Sequence, residues 1–358
     1  MAGAVRIDEI GPGDLEALAR FLGREAPAAP DAQGPGRRDA EHYRWFLFGN
    51  PAQPTGVPRG WLARDAAGEV IGSKFCVAER FQCGGSPFTL LMGGGYYVSS
   101  AHRGLGLALM RRYLERGREH ALFSSTMNKT SGALYEHYGG YAIENTDHEW
   151  LGVLNYAPVV EEFLARRFGR PNLARLLARA SSLRPPSVRA GAARGGSLAR
   201  IGLAELVSLA IAIPPEHARE ITALRDPASL RWRYFDGPDT TRALFVYRSE
   251  RDERALVGVN LRPRGVRGQV RALMVLDYWG ALPAAEIANA ARHLANAYRG
   301  QADVVVFRGQ PPERQAVLAK NGFLRRALPR AVGVCIDKDG LLPTRSWYMV
   351  PADGDMGH

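Results

Sequence analysis

The chain is poor in cysteine and in lysine, and it has no long apolar run. Its three cysteines, Cys76, Cys83 and Cys335, are odd in number with no paired close spacing. That argues against a disulfide framework or a structural zinc site and predicts free thiols in the core. No set of His, Cys and carboxylate residues has metal-ligand spacing, so no metal is expected. No apolar segment approaches the roughly 20 residues that a membrane helix needs. Residues 1–9 carry charges where a secretory signal needs an apolar stretch. These absences together predict a cytoplasmic protein with no membrane partner.

What is present is an ordinary globular balance, 46% apolar and 23% charged, over 358 residues. That length is too great for one average domain and suits two. The net charge of +11 is unevenly placed. Residues 1–150 hold 16 Lys/Arg against 17 Asp/Glu, and residues 151–358 hold 31 against 19. Nine arginines fall within 151–200, opposed by Glu161 and Glu162 alone. Lysine occurs only at Lys74, Lys129, Lys320 and Lys338. Two readings of the arginine bias stand: a GC-rich genome, or a basic surface that attracts an acidic acceptor or partner.

Hydropathy patterning predicts a strand at 5–10, helices at 12–22 and 39–48, and antiparallel strands at 61–64, 70–80 and 88–99. A helix follows at 105–120, a strand at 121–126, a helix at 131–138 ended by Gly139 and Gly140, and one or two strands within 141–154. Residues 156–182 suit two short amphipathic helices. Residues 184–197, with two prolines and three glycines, suit a linker. The order then recurs: a strand at 199–201, helices at 204–211 and 227–235, strands at 243–248, 255–262 and 269–276, a helix at 283–298, a strand at 302–307, a helix at 312–321, and strands at 332–336 and 346–350.

Two echoes mark this recurrence as a duplication. Tyr43-Arg44-Trp45 with Asn50-Pro51 parallels Leu230-Arg231-Trp232 with Gly237-Pro238, and Tyr138-Gly139-Gly140-Tyr141 parallels Lys320-Asn321-Gly322-Phe323. The expected class is α/β with mixed sheets (α+β in character). It is a tandem of two domains, 1–154 and 198–358, joined by a helical, basic linker at 155–197. Each domain is expected to be a mostly antiparallel twisted sheet flanked by helices.

The segment from Tyr97 to Tyr141 carries the chemistry. A strand ending at Tyr97 and Val98 leads into Arg103-Gly104-Leu105-Gly106-Leu107-Ala108 and then a helix. A small-residue loop at a helix N-terminus offers unpaired backbone N–H groups and the positive end of the dipole. Without side chains at Gly104 and Gly106, a pyrophosphate can approach the backbone closely. Arg103 adds a formal charge. Further on, Asn128 follows a strand, and Ser131 and Tyr135 stand four residues apart on one helical face.

These residues resemble the donor-binding motifs of the GCN5-related N-acetyltransferase superfamily. Arg103, Gly106 and Ala108 match its Gln/Arg-x-x-Gly-x-Gly/Ala pattern, and Asn128, Ser131, Tyr135 and Gly139 match its second one. The motifs cover about 45 residues, and the element order extends the likeness over 1–150. The resemblance implies acetyl-CoA or another acyl-CoA as co-substrate and no metal. It implies an N-acyltransferase in which a small, acidic or carrier-bound amine attacks the thioester directly. Tyr97 and Val98 would pair with the pantetheine arm, with an oxyanion donor near Val98. Residues 103–108 would hold the pyrophosphate, and Tyr135 would return a proton to the departing thiolate. For a general base the candidates are His148, Glu149 and Tyr96. His102 is read as a loop residue beside the phosphates.

The second half lacks the motif. Between the strand at 269–276 and the next helix stand Asp277, Tyr278, Trp279 and Pro283: Tyr278 and Trp279 are too bulky for phosphate approach, and Pro283 removes a helix N-terminal N–H donor. Leu318 takes the place of Tyr135, and Pro311 that of Asn128. This half is expected to wall the acceptor cleft, with Tyr278, Trp279, Trp232 and Tyr234 either lining it or packed in a core. Two other readings stand beside the enzyme. One is a tRNA-dependent aminoacyl transferase of similar double fold, which the basic segment would suit. The other is a CoA-binding regulatory module. The intact donor loop is not needed by the first, so no nucleic acid is expected.

Overall fold

The computed structural model describes residues 5–25, 39–127, 129–168, 188, 195–206, 208, 219–265, 268–280, 282–328 and 332–353. The first strands are β1 (Arg6–Glu9), β2 (Gly60–Arg64), β3 (Val70–Phe75), β4 (Val77–Cys83), β5 (Ser86–Met92), β6 (Tyr97–Val98) and β7 (Leu122–Met127). Next come β8 (Tyr141–Ala142), β9 (His148–Val153), β10 (Ser197–Arg200), β11 (Thr222–Ala223), β12 (Arg242–Arg248), β13 (Arg254–Arg264) and β14 (Val270–Gly280). The last three are β15 (Val304–Arg308), β16 (Leu324–Ala327) and β17 (Val332–Ile336). The helices are α1 (Leu15–Glu25), α2 (Ala40–Tyr43), α3 (Leu105–Leu114), α4 (Lys129–His137), α5 (Tyr156–Phe168), α6 (Leu203–Leu206), α7 (Pro227–Tyr234), α8 (Glu286–Ala297) and α9 (Pro312–Lys320). The mixed α/β class is as expected. The rest of the expected 155–197 linker beyond α5 lies largely outside the described residues.

Three sheets organise the chain. Their orders are β1-β2-β3-β6, β11-β4-β5-β7-β17-β8 and β10-β12-β13-β14-β15-β9-β16. Pairing is antiparallel except for β5 with β7 and β14 with β15, each joined through a crossover helix. Two expected strands are each split. The stretch 70–80 breaks at Cys76, and 88–99 breaks at Gly93-Gly94-Gly95, so β3 and β6 lie in one sheet while β4 and β5 lie in another. Gly95 sits at φ +53°, and a Cβ there would run into the Phe75 ring, so the position does not suit a side chain.

The closing strands cross over between the halves. β9, from the first repeat, runs antiparallel between β15 and β16 of the second. β17, from the second, runs antiparallel between β7 and β8 of the first. A division at residue 154 therefore cuts the chain without separating the sheets. Alternation predicted both strands, but a strand's own pattern does not name its partner.

The repeat detected in sequence also meets itself in space. Trp45 Nε1 donates to the Trp232 carbonyl at 2.9 Å, and Trp232 Nε1 donates to the Trp45 carbonyl at 3.1 Å. The two indoles, 187 residues apart, lie 5.3 Å centroid to centroid. Asp39 caps the helix just before Trp45 and Asp226 caps the helix that carries Trp232, accepting from the His42 and Ser229 backbone N–H groups. A buried ion pair, Arg233 to Glu79 at 2.6 Å, closes the junction. Burial raises the Glu79 carboxyl, and Arg233 opposes that. Trp232 and Tyr234 are thus core residues and line no cleft.

The exchange makes a prediction. Residues 1–154 produced alone leave β7 and β8 without the strand between them and leave β9 with no sheet. Val334, Cys335 and Ile336, all buried in the whole chain, are then missing from the first core. This fragment is expected to show no cooperative unfolding transition by near-ultraviolet circular dichroism, whereas the whole chain does.

Candidate active site

The break at the three glycines opens a gap between strands. Up to Gly93 the pairing of β5 with β7 holds: Leu91 faces Leu122, Met92 faces Phe123, and the Gly93 N–H donates to the Phe123 carbonyl at 2.7 Å. Beyond that point the chain turns to β3. The Phe75 N–H takes the Gly94 carbonyl at 2.8 Å, Tyr97 faces Ser73, and Val98 faces Gly72. β7 meanwhile follows β17. The Ser99 N–H donates to Ile71 on β3 at 2.9 Å. Alternation of strand N–H groups therefore turns the Val98 N–H the other way, into the gap.

α3 starts at the mouth of this gap. Gly106, Leu109, Met110 and Tyr113 form its buried face at helical spacing. Leu107 and Ala108 point outward, Leu105 is half-buried, and Arg103 and Gly104 are exposed. No side chain caps the helix, so its first turn keeps the anion-attracting character of an open N-terminus. A Cβ at Gly104 would meet nothing within 4 Å, whereas one at Gly106 would lie 2.7 Å from the Tyr96 hydroxyl. Gly104 thus faces open space, and Gly106 makes room for Tyr96. His102 Nδ1 is held 2.9 Å from Ser99 Oγ, in the turn just before the loop.

At the apex of the gap three tyrosines surround one lysine. The Tyr113 hydroxyl lies 2.8 Å from the Leu91 carbonyl and 3.1 Å from that of Phe123, pinning β5 to β7 just before they part. Burial holds this phenol well above its ordinary range. Lys74, on β3 and 1% exposed, places Nζ 3.0 Å from Tyr135 Oη. Tyr135 comes from α4, as the spacing predicted, and Ser131 lies one turn earlier on the same helix, half-buried. Asn128 lies outside the described residues. Lys74 was missed in the sequence. The signal was there, as one of four lysines set within the largely apolar run Val70–Phe75.

Two of the three base candidates lie elsewhere. Glu149 is fully buried on β9, in the third sheet, 3.2 Å from Arg264, 2.8 Å from Arg308 and 2.6 Å from Arg326. Burial would raise its carboxyl, but the three guanidiniums outweigh that and hold it below the usual range. A carboxylate so engaged has little tendency to take a proton. His148, next to it, bonds Asp147 through Nδ1 at 2.6 Å. Tyr96 borders the apex, but burial raises its phenol and keeps it protonated.

The second half has the equivalent gap and fills it from within. β14 pairs with β15 only from Ala272 to Met274 and then runs on with β13 to Gly280. Asp277, Tyr278 and Trp279 belong to this strand and are buried, so they form neither a connecting loop nor a cleft wall. Residues 347–353 occupy the space. The Tyr348 hydroxyl bonds the Tyr278 carbonyl and accepts from Arg314 at 2.9 Å, and Gly309 packs on the Met349 carbonyl. Asp353 and Asp277 share Arg225. The expected strand at 346–350 amounts to one parallel bridge, Trp347 to Ile221.

A separate open cavity of about 440 Å³ is lined by Ile143, Glu144, Asn145, Asp147, Glu220 and Trp347, among others, and by none of residues 103–108. Among the described residues no group of three or more His, Cys, Asp or Glu is placed to hold a metal ion. No described helix is long and apolar enough to cross a membrane.

No family model matches the sequence, and neither does any curated protein. Solved structures do match. A GCN5-related N-acetyltransferase from Kribbella flavida is 16% identical with TM-score 0.52, covering 93% of this chain and 71% of its own. A probable N-acyltransferase from Enterococcus faecalis V583 gives 11%, 0.54, 92% and 72%. The N-myristoyltransferase of Saccharomyces cerevisiae, solved with myristoyl-CoA and inhibitors, gives 9%, 0.58, 94% and 81%. The chain has the fold of the GCN5-related N-acetyltransferases, built twice.

Proposed function

We propose that this protein is an acyl-CoA-dependent N-acyltransferase, with acetyl-CoA as the favoured donor and its single donor site in the first half. The observation that carries the reading is the parting of β6 from β7 beyond Gly93. Backbone N–H groups and the start of α3 stand at the mouth of the gap, and Tyr135 stands at its apex. The corresponding gap in the second half is closed by the chain itself. The neighbouring yeast enzyme, solved with bound myristoyl-CoA, supports an acyl-CoA donor.

The residues divide the work. Arg103, Gly104 and the first turn of α3 would hold the pyrophosphate, with Leu105, Gly106, Leu107 and Ala108 shaping the turn. Tyr97 and Val98 would pair with the pantetheine arm. The Val98 N–H would stabilise the oxyanion formed when the amine attacks. Tyr135 would donate a proton to the departing thiolate. Neither Glu149 nor His148 stands at the apex, so the acceptor amine attacks in its neutral form without a protein carboxylate as base.

The acceptor is a small-molecule amine. The positive excess of residues 151–358 supports an acidic one, and the carboxylates of the 440 Å³ cavity support a cationic one. A screen with acetyl-CoA and primary amines of both kinds tests the reading through release of free thiol. Tyr135→Phe is expected to lower kcat by about 100-fold while leaving the acetyl-CoA Kd within threefold of wild type. An unchanged kcat would remove Tyr135 from the proton path.

A further inference from the structure

We propose that Lys74 is a positioning residue for proton transfer. Its ammonium group holds the Tyr135 hydroxyl at the point where β5 and β7 part, and it stabilises the phenolate left when Tyr135 gives up its proton. This rests on the acyl-CoA reading above.

The geometry is specific. Nζ lies 3.0 Å from Tyr135 Oη and stands 4.5 Å from the ring centre of Tyr113, 5.3 Å from that of Tyr96 and 5.5 Å from that of Tyr135. Aromatic faces at these distances hold a cation. A Cβ on Gly93 would come within 2.6 Å of both Nζ and Oη. The backbone at the apex thus lies directly against the pair, which fixes the hydroxyl beside the gap. The groups facing Lys74 include these three phenols, from the glycine turn, α3 and α4. Along the chain the Cys76 thiol is pushed up to about 12 by burial, with Lys74 and Arg116 opposing.

Charge and hydrogen-bond direction give the pair its function. An ammonium group only donates, so the bond from Nζ uses a lone pair of Oη and does not consume the phenol's own proton. A positive charge at this distance, with little water to screen it, favours the phenolate over the phenol. The step balances without a further reagent. The N–C bond forms and the C–S bond breaks. The thiolate takes the Tyr135 proton, and the phenolate recovers one from the acylated nitrogen.

The test uses the full chain with Lys74→Met, Lys74→Gln, Lys74→Arg, Tyr135→Phe and the double variant Lys74→Met/Tyr135→Phe. Acetyl-CoA Kd is read by calorimetry, folding by thermal melting, and kcat and KM by thiol release to primary amines or water. Lys74→Met and Lys74→Gln are expected to lower kcat roughly 10- to 100-fold with Kd and amine KM within threefold of wild type. Lys74→Arg should recover part of the loss. The double variant should fall no further than Tyr135→Phe alone, because the two residues act as a unit. Should Lys74→Met not fold, Lys74→Gln, one atom shorter than lysine, keeps a donor without the charge. A kcat within twofold of wild type for the neutral variants, or additive losses in the double, overturns the role of Lys74 and leaves the acyl-CoA reading standing. Wild type that binds no acetyl-CoA, or binds it and releases no thiol to any acceptor, overturns both.

Discussion

The double variant Arg103→Glu, Gly106→Glu is expected to lose acetyl-CoA binding, with Kd rising at least about 100-fold, or about 2.7 kcal/mol. Calorimetry on wild type is expected to give one site per chain. The pair of substitutions replaces one positive charge with two negative ones in the first turn of α3, where a pyrophosphate would sit. It also puts a side chain where the Tyr96 hydroxyl lies 2.7 Å from a Cβ. Part of the loss is therefore steric, and a control separates the two. Gly104→Ala meets nothing in the protein within 4 Å, and its φ of −61° suits alanine. Donor affinity lost in that variant, with its melting temperature kept, reports the close approach of the ligand itself. Two sites in wild type would mean that residues 347–353 leave the second gap. No site would sink the acyl-CoA reading.

The second large effect concerns Glu149. Glu149→Gln is expected to cost about 3–5 kcal/mol of stability, because three guanidiniums would remain around a neutral amide in the core. Its kcat should follow only the folded fraction. The pH dependence has a definite sign. The folded carboxyl titrates below its unfolded value of about 4.3. Its contribution is therefore complete above that value and is lost as pH falls through the folded one. Asp353 works in the opposite sense, since burial raises it. The comparison that isolates Glu149 is wild type against Glu149→Gln by urea unfolding at several pH values. The gap between them should be full at pH 7 and should shrink on acidification below pH 4–5. Equal stability together with a lost kcat would instead make Glu149 the base.

Much of the fold was legible because local rules act locally. The glycine loop, the helix it opens and the four-residue step from Ser131 to Tyr135 all depend on residues close in the chain. The duplication was legible for a related reason. Trp45 and Trp232 keep the same setting of cap, helix and following turn in both repeats, and that setting is local too. Glu149 shows where this reasoning stops. A glutamate in a strand near the expected site reads as a base until Arg264, Arg308 and Arg326, more than 100 residues away in sequence, are seen around it.

The sequence alone determined the element order, the repeat, the glycine loop before α3 and the place of Tyr135 on α4, because periodicity, turn chemistry and helix-end polarity are set by neighbours in the chain. Tertiary structure alone decided which sheet each closing strand enters, what fills the second gap, and that Lys74 meets Tyr135 under Gly93. Those outcomes are contacts between segments far apart in sequence. They are selected by competition for buried surface and hydrogen-bond partners over the whole molecule, and no single segment carries the result.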